Sequence, residues 1–332
     1  MRRHVAVVAA GMALVAGCTS DNQPSDELQI ASTPVAATAA TSPPPAAAPA
    51  GTVLPLPGDA TAIVADPRSR LLAVAIRYPP SIVLFGLDKL AGSQSIPLAG
   101  PAETLTLDGS TLVASVASPN QLVRIALPAE TTTVVPLDGA PGGVSRLGNQ
   151  TLVAMRDRKA IAVLEDNQVR RSITGQLYSA DQVLTVGDHA VVLDRLRTAL
   201  FDVNLTDGEV GVGQRAGTGA TNAVTDRYGR VLVTDTRAGA LLAFSVNPVL
   251  LRQNFPVPGA PYGLAYDPRR DLAWVTLTER NEVVGYDVAG GEPTERLRFP
   301  TVRQPNSVTV DPDSGRVFVA SANGGGIQVV NS

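Results

Sequence analysis

The stretch DPDSGRVFVA, Asp311 to Ala320, stands twelve residues from the C-terminus. Asp at the first position of a turn bonds the backbone ahead of it, Pro presets the next φ and Gly closes the loop, so this is a hairpin turn leading into an apolar strand. With so little chain left to pair with, the meaning of the pattern has to lie upstream. DPRSRLLAVA from Asp66, DGSTLVASVA from Asp108, DRYGRVLVTD from Asp226 and DPRRDLAWVT from Asp267 have the same shape, and LGNQTLVAM and VGDHAVVLD are degenerate versions of it. The turn marks fall at Asp66, Asp108, Leu147, Val186, Asp226, Asp267 and Asp311, spaced by 42, 39, 39, 40, 41 and 44 residues.

Each unit reads as four short strands. In the sixth they are YGLAY (Tyr262 to Tyr266), LAWVTL (Leu272 to Leu277), EVVGYDV (Glu282 to Val288) and RLRFP (Arg296 to Pro300). Four strands in a repeat of about 40 residues make a β-propeller blade. The last unit, from about Pro305, supplies three strands and ends with GIQVV, Gly326 to Val330. The missing strand is TVLPLPG, Thr52 to Gly58, which resembles the fourth strands SIPLAGP (Ser95 to Pro101) and TVVPLDGAP (Thr133 to Pro141). The expected fold is therefore all-β: a seven-bladed propeller of four-stranded blades over residues 52–332, its ring closed by an N-terminal strand joining the last blade. Closure removes the free sheet edges that invite aggregation. A β-sandwich or β-helix is the competing reading.

The N-terminus reads as an address. MRRHVAVVAAGMALVAGC has a basic start and an apolar run from Val5 to about Val15. That run is too short for a hydrocarbon core needing about 20 residues, so residues 1–17 are expected to be a secretory leader. VAGC, Val15 to Cys18, resembles the bacterial lipobox, which implies cleavage before Cys18 and attachment of diacylglycerol to it. Cys18 is the only cysteine, which fits lipidation and excludes an internal disulfide. Residues 18–51 are expected to be the lipidated Cys and a disordered tether: from Ala31 to Ala50 every residue is Ala, Ser, Thr, Pro or Val. Fully extended at roughly 3.1 Å per residue, it would reach about 100 Å.

DP..GRVFVA followed by N..G.I.VV, with each unit approached through Pro, resembles the YncE-like and lactonase-like seven-bladed propellers. With the lipobox and the Pro/Ala segment, the layout is similar to actinobacterial, mycobacterial LppL-type, propeller lipoproteins. The resemblance implies a lipid anchor on the extracytoplasmic face of the cell membrane and a monomeric propeller with an envelope protein or small ligand as partner. Propeller fold by itself does not name a function.

The near balance of 27 Lys and Arg against 30 Asp and Glu argues against nucleic acid. His189 is the only histidine after the leader, so His-rich metal sites and Cys–His dyads are excluded there. Aligned on the repeat, Glu103, Asp181, Asn222 and Asn306 reach the mouth of the central channel. Such oxygen donors suit Ca²⁺ or Mg²⁺, and the resemblance to lactonases implies a divalent-metal-dependent hydrolase of cyclic esters as the alternative to a non-catalytic binding or scaffold module. Arg77, Arg156, Arg195, Arg237 and Arg280 are expected on the same rim, either in ion pairs with acidic neighbours in their own loops or facing an anionic ligand. No catalytic residue is assigned.

Overall fold

The computed structural model describes residue 28 and residues 31–90 and 93–332. Cys18 and the segment expected to be a leader lie outside the described residues. Every regular element among those described is a β-strand. No helix there is long and apolar enough to cross a membrane.

Residues 60–97, 102–136, 220–256 and 261–300 each form a four-stranded sheet whose consecutive strands pair antiparallel. Residues 141–174 and 182–215 form two further sets of four, joined outer edge to outer edge into one eight-stranded sheet. Only a single parallel pair, Thr174 with Glu209, makes that junction. Residues 305–330 supply three strands, and Thr52–Leu54 completes them by pairing with Ile327–Val330 in the register Thr52↔Val329, Val53↔Gln328, Leu54↔Ile327. The first strand of each set neighbours the first strand of the next, and Pro305–Val310 returns to neighbour Ala60–Asp66, so the inner strands ring a central channel. This is a propeller arrangement of four-stranded blades.

The turns behave as their residues dictate. Asp66 accepts the amides of Arg68 (3.0 Å) and Ser69 (3.2 Å), and Asp267 accepts those of Arg269 (2.9 Å) and Arg270 (3.3 Å). The strands that follow are buried on both faces because each sheet is sandwiched between two others. Leu272–Leu277 is buried at every residue, so such strands read as continuous apolar runs rather than alternating ones. Outer strands such as Thr131–Pro136 are mostly exposed and correspondingly polar. The apolar clusters sit between neighbouring sheets; one joins the first to the last, packing Leu72, Val74 and Ile76 against Phe318, Ala320 and Ile327. Trp274 is fully buried, and its cross-strand partner is Gly285, where a Cβ would come within 3.0 Å of the indole ring.

The N-terminal strand is shorter than its sequence suggests, ending at Leu54 rather than Gly58. Pro55 and Pro57 have no N–H to give to a ladder, so pairing stops before them. The larger difference concerns residues 31–50. Of these, residues 34–43 form, in place of the expected solvated tether, an irregular strap laid on the propeller, with Ala37 and Ser42 buried, while residues 44–48 are exposed. Composition alone shows that this segment has no core of its own, but not that a folded face could satisfy its backbone.

Candidate functional site

Inner strands line a channel cavity of about 680 Å³ along their length, and at one end of it the lead-ins to these strands meet Arg77, Arg156 and Arg195 from turns after second strands. Glu103, Asp181, Asn222 and Asn306 all line it, as do Arg77, Arg156 and Arg195. Arg237 and Arg280 lie outside the lining: Arg237 bonds Thr218 O (3.2 Å), and Arg280 packs its stem along Gly259, where a Cβ would meet it at 2.9 Å.

Gathering these residues in one cavity does not make them a cation shell. Arg156 donates through Nη1 to Glu103 Oε2, and its Nε lies 3.4 Å from Asp181 Oδ1. The guanidinium therefore sits between the two carboxylates, where a cation would have to be. The other oxygen of Asp181 accepts from the Ser179 hydroxyl (2.5 Å) and the Arg195 amide (2.8 Å). Asn222 donates its amide to Tyr262 O (3.0 Å), and Asn306 Oδ1 accepts from Gln304 Nε2 (2.9 Å). Among the described residues no three of His, Cys, Asp and Glu gather as a set that could hold a metal ion.

Buried carboxylates hold the loops that build the mouth. Asp194 accepts the amides of Tyr178 (2.6 Å), Ser179 (3.2 Å) and Arg197 (2.8 Å), shaping the loop that delivers Asp181. Burial pushes the Asp194 carboxyl above its usual range, and those three amides only partly offset it. Asp235 repeats the device, accepting Thr218 N (2.8 Å) and Ala238 N (3.1 Å), and the exposed Asp157 accepts Ala140 N (2.8 Å). Asp157, Asp194 and Asp235, the acidic neighbours expected to ion-pair with Arg156, Arg195 and Arg237, thus serve the main chain. A carboxylate bonded to backbone N–H groups fixes a loop more firmly than an exposed ion pair does. His189 lies away from the mouth, at the turn after the fourth inner strand, 3.1 Å from Asn247 Nδ2.

The strap crosses this same face. Arg237 donates to Val35 O (2.6 Å) and Arg195 to Ala37 O. Gln304 donates to Ala40 O (2.8 Å) and accepts from Ser42 N (3.1 Å). Thr278 Oγ1 accepts from Ala40 N (3.1 Å), and Asn281 donates to Pro43 O (2.9 Å). The buried Ser42 hydroxyl donates to Thr278 O (2.6 Å) and accepts from Gln304 N (3.0 Å). Gln304, Thr278 and Asn281 were not singled out by sequence reasoning. The repeat alignment puts Thr278 and Asn281 in the turn after a second strand, so their position was legible although their partner was not.

No protein-family model matches the sequence, and no curated protein matches it. Solved structures do. The chain superposes on a catalytically inactive virginiamycin B lyase from Staphylococcus aureus, solved with quinupristin, with a TM-score of 0.72 at 12% identity, covering 85% of this chain and 98% of that one. The WD40 repeats of RRP9 give 0.74 at 11% identity over 86% and 98% of the two chains. Hydrazine synthase of Kuenenia stuttgartiensis gives 0.70 at 16% identity over 85% and 98%. At these identities the likeness establishes the propeller fold alone, a fold that hosts unrelated functions.

Proposed function

We propose that this protein is a seven-bladed propeller, YncE-like in its repeats, carried by a lipid on Cys18 at the extracytoplasmic face of the cell membrane, and that its channel mouth is a non-catalytic binding site for an envelope ligand or protein. The seven-blade reading takes the eight-stranded sheet as two blades, because a single bridging pair is all that merges their outer edges into one sheet. The anchor reading rests on VAGC and the apolar leader in the sequence. Monomeric state and indifference to nucleic acid belong to the same proposal.

The observation that carries the binding reading is the placement of Arg156 between Glu103 and Asp181. A lactonase-like hydrolase needs those carboxylates for a divalent ion that polarises an ester and lowers the pKa of a water. Here their charge is met by a guanidinium, and the Asn306 oxygen that would face a cation accepts from Gln304 instead. A recognition surface needs such a fixed frame around a concave space.

The test is a thermal-shift titration of Ca²⁺, Mg²⁺ and Mn²⁺ into chelator-treated protein, alongside the Glu103→Ala variant. A binding module shows no cation-specific shift in either protein. A shift of several degrees that Glu103→Ala abolishes would replace this reading with the metal-dependent hydrolase.

A further inference from the structure

The contacts of residues 34–43 with the mouth face share one property: nearly all run from propeller groups to the main chain of the strap. Carbonyls of Val35, Ala37, Ala40 and Pro43 accept from Arg237, Arg195, Gln304 and Asn281, and the Ser42 carbonyl accepts from Arg303 (3.2 Å). Amides of Ala40 and Ser42 donate to Thr278 Oγ1 and Gln304 Oε1. Gln304 alone reads one carbonyl and one amide two residues apart, the spacing at which successive groups of an extended chain face the same way.

The segment runs without a bend from Pro34 to Pro43 and bonds to no strand. Its side chains contribute chiefly by being small. Ala37 and Ser42 keep 3% and 1% of their surface exposed, so larger residues at those points would lift the backbone from its donors. Proline lowers the entropy lost when such a chain is ordered, because its φ is already fixed.

A surface that binds backbone through fixed side-chain donors and acceptors, and asks of the side chains only a small one at position 37 and a small hydroxyl-bearing one at 42, selects a class of peptide rather than one sequence. We propose that the mouth face is a peptide-binding site for extended, uncharged, Ala/Ser/Pro-rich segments, with residues 34–43 as its occupant in cis and a segment of the same chemistry on another envelope protein as its ligand in trans. This rests on the binding-module reading and names its ligand class. The covalent link gives the cis segment an effective concentration in the millimolar range, so a ligand in trans must displace it or meet it already released.

The experiment uses the chain from residue 18 with Cys18→Ala for solubility, and a fluorescein-labelled peptide of residues 33–45, TPVAATAATSPPP, read by fluorescence polarisation. Ala37→Arg with Ser42→Arg undocks the strap without altering the propeller. The peptide is expected to bind this double variant at least tenfold more tightly than the parent chain, and adding Gln304→Ala is expected to weaken that binding at least tenfold. Should the double variant melt early, Ala37→Arg alone gives the same comparison, since Ala37 keeps only 3% of its surface exposed and a larger side chain there lifts the strap from its donors. No saturable binding to the undocked chain, or binding indifferent to Gln304→Ala, would overturn the inference. Such a failure would leave the binding-module reading standing as long as divalent cations also have no effect, whereas a cation response would remove that reading whatever the peptide does.

Discussion

Arg70 Nη1 lies 3.2 Å from Asp311 Oδ2, so the turn of the first sheet is clasped to the turn of the last at the end of the channel opposite the strap. The Asp311 side chain is fully buried, while Arg70 keeps 32% of its surface. Burial pushes the Asp311 carboxyl upward, but the Ser314 hydroxyl, the Asp313 amide and Arg70 outweigh it and hold the group below the usual carboxylate range. Asp88, which shares the same guanidinium, is lowered as well.

A carboxylate lowered in the folded state releases its proton more readily there than in the unfolded chain. The stability it contributes is therefore present above about pH 4, the unfolded value, and is lost as pH falls through the lower folded value. Arg70→Ala should cost about 1–2 kcal/mol at neutral pH and flatten the decline of melting temperature in that acid range. Parallel acid profiles for parent and variant would contradict the clasp.

The closure seam makes a sharper demand at Gly326. Its φ is +80°, and a Cβ there would lie 2.2 Å from Leu54 O, the last residue of the N-terminal strand. Gly109 has a similar φ of +65° with nothing within 4 Å of a Cβ. Gly109→Ala should cost only the left-handed backbone penalty of about 1–2 kcal/mol. Gly326→Ala should cost clearly more in chemical denaturation, because the backbone of the seam has to move. Equal losses would mean that Thr52–Leu54 contributes nothing to closure.

Trp274 fills the space left by Gly285 and stacks on Phe299 with ring centroids 6.3 Å apart. Trp274→Ala should destabilise by roughly 3–5 kcal/mol. Gly285→Ala should destabilise as well, since it drives a methyl against the rigid indole. A neutral Gly285→Ala in urea unfolding would show that the ring has room to shift.

Cys18→Ala is expected to abolish incorporation of a clickable fatty acid and to release the protein from the membrane fraction. Persistent labelling would place the lipid elsewhere and remove the anchor from the proposal.

The repeat was legible in the sequence because its turns are punctuated chemically. Asp66, Asp267 and Asp311 each bond the backbone just ahead, so the ruler built on them lands within a residue of every inner-strand end. The same ruler was enough to bring Glu103, Asp181, Asn222 and Asn306 to one cavity. It could not show who partners whom across blades. Arg156 reaches back 53 residues to Glu103, and Gln304 reaches 264 residues to Ala40. Such pairings depend on ring closure, which local spacing does not encode. The strap was hardest to read because a segment of Ala, Pro, Ser and Thr has the same composition whether it is solvated or held by its backbone.

The most direct measurement is hydrogen exchange, by mass spectrometry with fragmentation or by NMR, at the amides of Ala40 and Ser42 in the chain carrying Cys18→Ala. The account predicts protection at both, because each donates to a propeller side chain, and its loss in Gln304→Ala at Ser42 above all. Exchange at the rate of an unstructured peptide would mean that residues 34–43 do not lie on the channel mouth, and the peptide-reading face would go with them.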